Sequence, residues 1–282
     1  MSLIAFGDSF GFVEANSDLY DYHAIANKFF GVLELVVNHE NLRSIIQSRL
    51  VQRLIAPKGT DKVGQGAIIG IAQKAVSERY RPDAKVKKDM LGHFMAKGMT
   101  QEQAEVESHL QIIAGSDSTA GTLRTTMMLL VANPVAYRKL VHEIDSAMVS
   151  GNISYPIIKH SEASKLEYLQ AVIWEGLRMY PPLFGLQSKR APPDGETING
   201  VFFPPGTEIA ICDEGIARRK DIFGDDAEIF RPERWLHPDP AVRARYLRHV
   251  EVIFGSGRFV CLGKDIAIME LNKAIVEVCC FS

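Results

Sequence analysis

The chain has 282 residues, of which 46% are hydrophobic and 23% are charged, and its net charge is −2. This balance is typical of a globular protein with a large core, and it gives no sign of a nucleic-acid-binding surface. No run of eighteen apolar residues predicts a transmembrane helix, no signal-peptide pattern opens the sequence, and the four cysteines lack disulfide-type spacing, which favours a reducing compartment.

The first hundred residues are predicted to be mostly helical. Apolar residues recur at helical spacing between residues 18 and 55, from Ala67 to about Tyr80, and from Lys88 to Lys97. Residues 56–66 have the composition of a loop. The pattern predicts amphipathic helices that pack on a core.

Near the start, Gly7, Asp8 and Ser9 resemble the nucleophile block of GDSL-type hydrolases. A serine hydrolase also needs a histidine that is oriented by an acid. The last histidine, His249, has no Asp-x-x-His context. The hydrolase interpretation is therefore not favoured.

A long helix is predicted from Gln101 to Asn133. Thr100 and Gln103 form a capping box, and no proline interrupts the following 33 residues, which corresponds to roughly 50 Å of helix. Its middle, residues 114–122, departs from helix preferences. Two glycines there weaken the helix by about 1 kcal/mol each relative to alanine.

The same stretch carries alcohols that can bond back to the preceding turn and bend the helix, namely Ser118, Thr119 and Thr122. A polar, poorly helical patch in an apolar helix indicates either a functional site or a close helix crossing that needs small residues. The residues alone favour neither reading over the other.

Two more helices are predicted after this one. Asn133-Pro134 is a helix start that opens a segment reaching about Met148. Residues 165–179 form an amphipathic helix in which Glu175 and Arg178 lie at i, i+3 and can pair. Taken alone, such a pair is a surface salt bridge of little energetic value.

Residues 183–213 alternate turn signals with short β-like runs, and they predict a small β region. Residues 240–250 then place Arg243, Arg245 and Arg248 on one predicted helix. The default interpretation of this helix is a solvated charged face.

The stretch from Phe254 to Gly263 sets Cys261 between a glycine-rich loop and a helix that is predicted to start at Leu262. Glycines let the backbone take positive φ and approach a bulky group closely. A helix start behind the cysteine favours the thiolate. The loop therefore predicts a nucleophile or a metal ligand, the alternative being an inert, buried cysteine.

The pattern Phe254-x-x-Gly257-x-x-x-Cys261-x-Gly263 resembles the haem-binding signature of the cytochrome P450 family. The resemblance implies haem b, with the Cys261 thiolate as the axial ligand of the iron. The family commonly has a basic residue two positions before the cysteine, where this chain has Phe259.

The resemblance also assigns the groups that hold the haem propionates. Arg258 stands next to the usual basic position and is the expected substitute, and Arg190 matches a propionate-binding arginine of the family. The substrate pocket is expected to be lined by Leu183, Phe184 and Leu186.

The polar middle of the long helix resembles the oxygen-activating segment of the family's helix I. Asp117 matches the acid, and Ser118 stands where the family usually has threonine, followed by Thr119. This implies a proton relay in which the acid replenishes a hydroxyl, with Ser118 as the first choice and Thr119 as the second.

Glu175-x-x-Arg178 resembles the helix K signature, and Arg234 resembles the third member of the same charged cluster. The implied role is structural, namely to lock the loop that presents Cys261. A carboxylate held between two guanidiniums explains the use of arginine rather than lysine.

Together these motifs imply a mainly α, cytochrome P450-like fold with a small β region. The resemblance covers only the later part of a complete member, from about helix E/F to helix L. Residues 1–282 are therefore expected to be one partial domain that lacks the N-terminal part of the fold, its membrane anchor included.

The implied function is a haem-thiolate monooxygenase that inserts one oxygen atom from O2 into an apolar small molecule. The residues of the motifs and their order are most similar to those of fungal secondary-metabolism members. Electrons would come from an NADPH-dependent flavoprotein reductase docked on the arginines of residues 240–250. Family members lie at the endoplasmic reticulum membrane. The alternatives are a non-catalytic remnant and a haem-thiolate isomerase or dehydratase.

Overall fold

A computed structural model describes residues 2–183 and 186–280, and the chain divides into two compact units, Met1–Asp117 and Ser118–Ser282. Most described residues are helical, and the strands are short and antiparallel. The prediction of a mainly α fold with a small β region is confirmed. None of the described helices combines the length and apolarity needed to span a bilayer.

The first unit consists of helices joined by short connections. Its helices are α1 (Ser2–Phe6), α2 (Phe12–Ala15), α3 (Tyr22–Asn38), α4 (Glu40–Ile46), α5 (Arg49–Ile55), α6 (Gly64–Arg79), α7 (Met90–Ala96) and the first half of α8 (Gln101–Ala132). A 3-10 turn, Leu19–Asp21, precedes α3.

The ends of these helices are set by local hydrogen bonds. Thr100 and Gln103 form the predicted capping box, since the Gln103 N–H donates to Thr100 Oγ1 at 3.3 Å and the Thr100 N–H donates to Gln103 Oε1 at 2.9 Å. Asp89 caps α7 and also pairs with Arg79 at 2.6 Å, in a bond that is largely buried. The core of this unit gathers around Phe6, Tyr22, Ile68, Val76 and Leu91.

Helix α8 is continuous through its glycine-containing middle, so the predicted local weakness does not break it. Thr122 donates to the Ser118 carbonyl at 3.0 Å, as predicted for a back-bonding alcohol, and Thr125 does the same to Gly121 at 2.9 Å. A Cβ on Gly121 would meet no described atom within 4 Å. A close helix crossing therefore does not explain that glycine.

The second unit holds the rest of α8, further helices and two antiparallel strand pairs. Its elements are α9 (Pro134–Val149), α10 (His160–Ala163), α11 (Glu167–Met179), β1 (Leu186–Arg190), β2 (Glu196–Ile198), β3 (Val201–Phe203), β4 (Glu208–Cys212), α12 (Asp213–Ala217), α13 (Lys220–Phe223), α14 (Pro240–Val250) and α15 (Lys264–Cys280). Strand β1 pairs with β4, with Arg190 opposite Glu208, and β2 pairs with β3.

Helix α11 runs through the core of the second unit, and nearly all of its residues are buried. Its one glycine, Gly176, faces α8, and a Cβ there would lie 2.1 Å from Thr126 Oγ1. This is the crossing that needs a small residue. The close packing of α11 against α8 goes with the burial of Glu175 and Arg178.

Candidate functional site

The Cys261 loop connects two 3-10 turns, Glu251–Phe254 and Gly257–Phe259, with helix α15. The Cys261 N–H donates to the Phe254 carbonyl at 2.6 Å, which closes the loop into a tight ring. The helix begins at Lys264, so the predicted start at Leu262 is wrong by two residues. The cysteine thus precedes the first turn of α15 rather than lying at its edge.

Gly255 and Gly257 supply the backbone conformations on which the ring depends. Gly255 has φ 72° and ψ −174°, a region that only glycine populates readily, and Gly257 has φ 55°. A Cβ on Gly255 would lie 2.3 Å from the Phe259 carbonyl oxygen, whereas one on Gly257 would meet no described atom within 4 Å. Gly263 has ordinary space, since its Cβ would lie 3.9 Å from Cys261 Sγ.

The thiol of Cys261 is exposed, and so are the apolar side chains around it, Phe259, Val260 and Leu262. Cys261 is therefore not the buried cysteine of the alternative interpretation. A thiol set in an apolar surface suits a flat, apolar group that brings a metal ion to the sulfur. The residues present fit a haem group on this observation.

Two cations stack on the ring that replaces the family's basic residue. Lys189 Nζ lies 4.1 Å from the centre of the Phe259 ring, and the Arg258 guanidinium carbon lies 4.8 Å from it. Sequence reasoning singled out Arg258 but missed Lys189, because β1 is about seventy residues away in the chain. The ring collects positive charge next to the cysteine.

The other predicted propionate ligand, Arg190, pairs with Glu208 across the β1–β4 ladder at 3.1 Å and is largely exposed. Of the predicted pocket residues, Leu183 is exposed. Phe184 and the side chain of Leu186 lie outside the described residues.

Glu175, Arg178 and Arg234 meet in the core of the second unit, each at most 2% exposed. Arg178 donates to both Glu175 oxygens, at 2.8 and 2.9 Å, and Arg234 Nε donates to one of them at 3.0 Å. The Trp235 indole and the Arg231 backbone N–H complete the set, at 2.9 and 2.8 Å. The carboxylate is thus surrounded by donors.

The two guanidiniums also hold the chain segment between β4 and the Pro232–Leu236 turn. Arg178 donates to the carbonyls of Ala217 and Ala227 at 2.7 and 2.6 Å. Arg234 donates to those of Phe223 and Asp226 at 2.7 and 3.0 Å. These hydrogen bonds hold the backbone of residues 217–231. They do not reach the Cys261 loop, which the cluster was predicted to lock.

The link from this cluster to the cysteine loop is aromatic. Trp235 packs against Trp174 with ring centres 6.1 Å apart, and Trp174 meets Phe254 edge-on at 6.4 Å. Phe254 is the residue whose carbonyl accepts from the Cys261 N–H. Sequence reasoning missed Trp174 and Trp235, which read as ordinary apolar positions of a helix and a turn.

The three residues predicted for the proton relay follow one another on α8 and are half-buried. Asp117 accepts a hydrogen bond from the Tyr22 hydroxyl at 3.0 Å. Burial of the phenol and the charge of Asp117 raise the pKa of Tyr22. Sequence reasoning placed Tyr22 only in a helical apolar pattern.

The arginines of the predicted docking patch are exposed on α14. Arg243 donates to the His237 carbonyl, and Arg245 donates to the Ile222 carbonyl, at 2.5 and 3.2 Å. Beside them lies an open groove of about 200 Å³, which Trp174, Trp235 and Leu247 help to line.

The GDSL-like residues show no hydrolase arrangement among the described bonds. The Ser9 hydroxyl donates to Glu14 at 2.9 Å, and Asp8 pairs with Lys87 at 2.6 Å. Both contacts are with exposed side chains.

The chain is similar to known proteins along nearly all of its length. The family model described as Cytochrome P450 matches residues 1–278. The chain is 40% identical over 275 residues to cytochrome P450 monooxygenase aba1 of Botryotinia fuckeliana, an alignment that covers 98% of this chain and 54% of that protein.

Two further fungal proteins match over almost the whole chain. Cytochrome P450 monooxygenase ABA1 of Pyricularia oryzae is 41% identical, with 98% of this chain and 54% of that protein covered. Pisatin demethylase of Fusarium vanettenii is 31% identical, with 99% and 53% covered. The chain spans about half the length of these curated relatives.

Proposed function

Because the chain belongs to the cytochrome P450 family, we propose that it carries the haem-thiolate part of a monooxygenase that inserts one oxygen atom from O2 into an apolar small molecule. The resemblance to fungal members of this family, predicted from the motifs, is confirmed. We further propose a role in fungal secondary metabolism.

The observation that carries the proposal is the exposed Cys261 thiol in its glycine-shaped, apolar surface. A thiolate-ligated haem supplies the cleavage of the O–O bond, because the sulfur donates electron density to the iron. The chain's own contribution is to hold Cys261 in a closed loop and to present Phe259, Val260 and Leu262 as an apolar surface around the sulfur.

Charge near the cysteine supports the same proposal. Lys189 and Arg258, gathered on the Phe259 ring, would hold the haem propionates in place of the family's usual basic residue. Arg190 is the further propionate ligand proposed from the sequence, and binding there would compete with its contact to Glu208.

Proton delivery is proposed for the middle of α8. Ser118 or Thr119 would donate a proton from its hydroxyl during the reduction of O2, and Asp117 would replace that proton. Glu175, Arg178 and Arg234 have a structural role in the proposal, since their bonds hold residues 217–231 and the turn that carries Trp235.

Reducing equivalents would come from an NADPH-dependent flavoprotein reductase with an acidic face. Arg243, Arg245 and Arg248 are exposed on one helix and suit such a partner. Family members lie at the endoplasmic reticulum membrane, and we propose the same location for the whole protein.

The test is carbon monoxide spectroscopy on the chain loaded with hemin and reduced with dithionite. A thiolate ligand gives a strongly red-shifted Soret band, which we expect for the wild type and for Cys212→Ser, a matched variant at another exposed cysteine. Cys261→Ser should lose the band while keeping its far-UV circular dichroism.

The same experiment tests the first alternative, and a turnover assay tests the second. A folded wild type that binds no hemin, or binds it without the red-shifted band, would favour a non-catalytic remnant. Product formation in the absence of any electron donor would favour an isomerase or dehydratase.

A further inference from the structure

Asp117, the acid proposed for the proton relay, ends the first unit and has a partner within that unit. The Tyr22 hydroxyl donates to Asp117 Oδ2 at 3.0 Å, although the two residues are 95 positions apart in the chain. Tyr22 is only 5% exposed. A buried phenol that donates to a half-buried carboxylate is a specific arrangement, since either group without a partner would cost desolvation free energy.

The backbone before Tyr22 is built to place this side chain. Tyr20 and Asp21, neither of them glycine, have φ of 63° and 52°. L-residues adopt this left-handed conformation at a cost, and such strain is concentrated at functional sites. The Asp18 carboxylate secures the turn by accepting from the N–H groups of His23 and Ala24 at 2.9 and 3.0 Å.

The ring of Tyr22 is also held on its flanks. Phe12 and His23 meet it edge-on, with ring centres 6.4 and 5.4 Å away. Burial and the charge of Asp117 raise the pKa of Tyr22, so its hydroxyl keeps its proton at neutral pH and remains a donor. The phenol is therefore a hydrogen-bond donor to Asp117 at neutral pH.

We infer that Tyr22 is a positioning residue for the relay: its hydroxyl holds one oxygen of Asp117, so that the carboxylate serves Ser118 and Thr119 from a single orientation. This inference rests on the relay role proposed above for Asp117. Without the phenol, the carboxylate is free to change rotamer and to be hydrated by water, and proton delivery slows.

The first test measures the contact in the chain without hemin. Urea unfolding of Tyr22→Phe, Asp117→Asn and the double variant forms a double-mutant cycle, in which we expect the effect of the double variant to be smaller than the sum of the single effects.

A second measurement on the chain without hemin is alkaline titration of the tyrosines at 295 nm. Asp117→Asn should lower the pKa of one phenol, and the titration of this phenol should be missing in Tyr22→Phe. Additive effects, or an unchanged titration, would overturn the contact.

The second test measures its consequence in the hemin-loaded chain. With NADPH and a flavoprotein reductase, Tyr22→Phe should lower the rate of O2 consumption about 3- to 10-fold and raise the ratio of rates in H2O and D2O, as Asp117→Asn should. Tyr20→Phe is the matched control, because Tyr20 neighbours Tyr22, is exposed and has no bond to Asp117 among the described contacts. It should behave as wild type.

The outcomes separate this inference from the function on which it rests. If the wild type lacks the red-shifted Soret band, the proposed haem-thiolate function fails. If the band is present and Asp117→Asn slows O2 consumption, while Tyr22→Phe matches Tyr20→Phe in rate and isotope ratio, the function stands and the positioning role is overturned.

Discussion

The Glu175 cluster and the Cys261 loop, both in the second unit, differ in the burial of their polar groups. The cluster buries its charges and gives the Glu175 carboxylate five donors from within the chain. The loop exposes a thiol and surrounds it with exposed apolar side chains. The difference separates a carboxylate whose partners all lie in the chain from a thiol for which we propose a partner from outside the chain.

The two regions are nevertheless connected. Trp235 donates to Glu175 and packs on Trp174, which meets Phe254 of the loop. Aromatic contacts thus connect the buried charge cluster with the cysteine loop. The following variants test these two regions and one carboxylate outside both, in order of decreasing expected effect.

Glu175→Gln should lower the free energy of unfolding by about 3–5 kcal/mol, because it leaves two buried guanidiniums without their carboxylate. Urea unfolding measures this. The matched control is Glu208→Gln on the exposed Arg190 pair, where a loss of at most about 1 kcal/mol is expected. Equal losses at both positions would mean that burial does not set the cost.

Gly255→Ala should distort the cysteine loop, since its backbone region costs other residues about 1–3 kcal/mol and the new Cβ meets the Phe259 carbonyl. We expect hemin affinity, measured by Soret titration, to fall about tenfold or more, in line with that free energy. Gly257→Ala, which has free space around its Cβ, should lose less. The reverse order would contradict the described loop geometry.

Lys189→Met and Arg258→Met should reduce the preference of the chain for hemin over hemin dimethyl ester by a few-fold each, because the ester carries no propionate charge. Competitive Soret titrations measure this preference. Lys220→Met, a lysine of α13, is the control. An unchanged preference in both loop variants would assign the propionates to other residues.

Glu162→Gln tests a carboxylate that belongs to neither region. The Ser154 backbone N–H, the Ser154 hydroxyl and the Lys159 N–H hold the pKa of Glu162 at about 2, below its usual 4.5. A lowered pKa stabilises the fold above 4.5, and this contribution is lost as the pH falls towards 2.

Glu162→Gln should therefore be less stable than wild type at pH 7, with a difference that shrinks below pH 4.5. Thermal unfolding between pH 3 and 7 measures it. Ser154→Ala should show part of the effect. A difference that stays constant with pH would show that the carboxylate charge is not involved.

Local signals in the sequence predicted much of this structure. Asn133-Pro134 predicts the start of α9, and the end expected near Met148 is one residue from the observed Val149. The capping box at Thr100 and the i, i+3 spacing of Glu175 and Arg178 are also local. Each depends on residues that are close together in the chain, so a pattern can reveal it.

The remaining features depend on contacts that no local pattern encodes. Trp235 reaches Glu175 over 60 positions, and Tyr22 reaches Asp117 over 95. The low helix propensity of its glycines does not interrupt α8, which runs from Gln101 to Ala132, within one residue of the predicted helix. Helix α15 starts at Lys264, where the Gly263 carbonyl accepts a hydrogen bond from the Ala267 N–H at 2.8 Å.

The most direct test of the central claim is X-ray absorption at the iron edge of the hemin-loaded chain. We predict one sulfur in the first coordination shell of the iron, and its loss in Cys261→Ser but not in Cys212→Ser. A first shell of only nitrogen and oxygen in folded wild-type protein would contradict the assignment of Cys261 as the haem ligand.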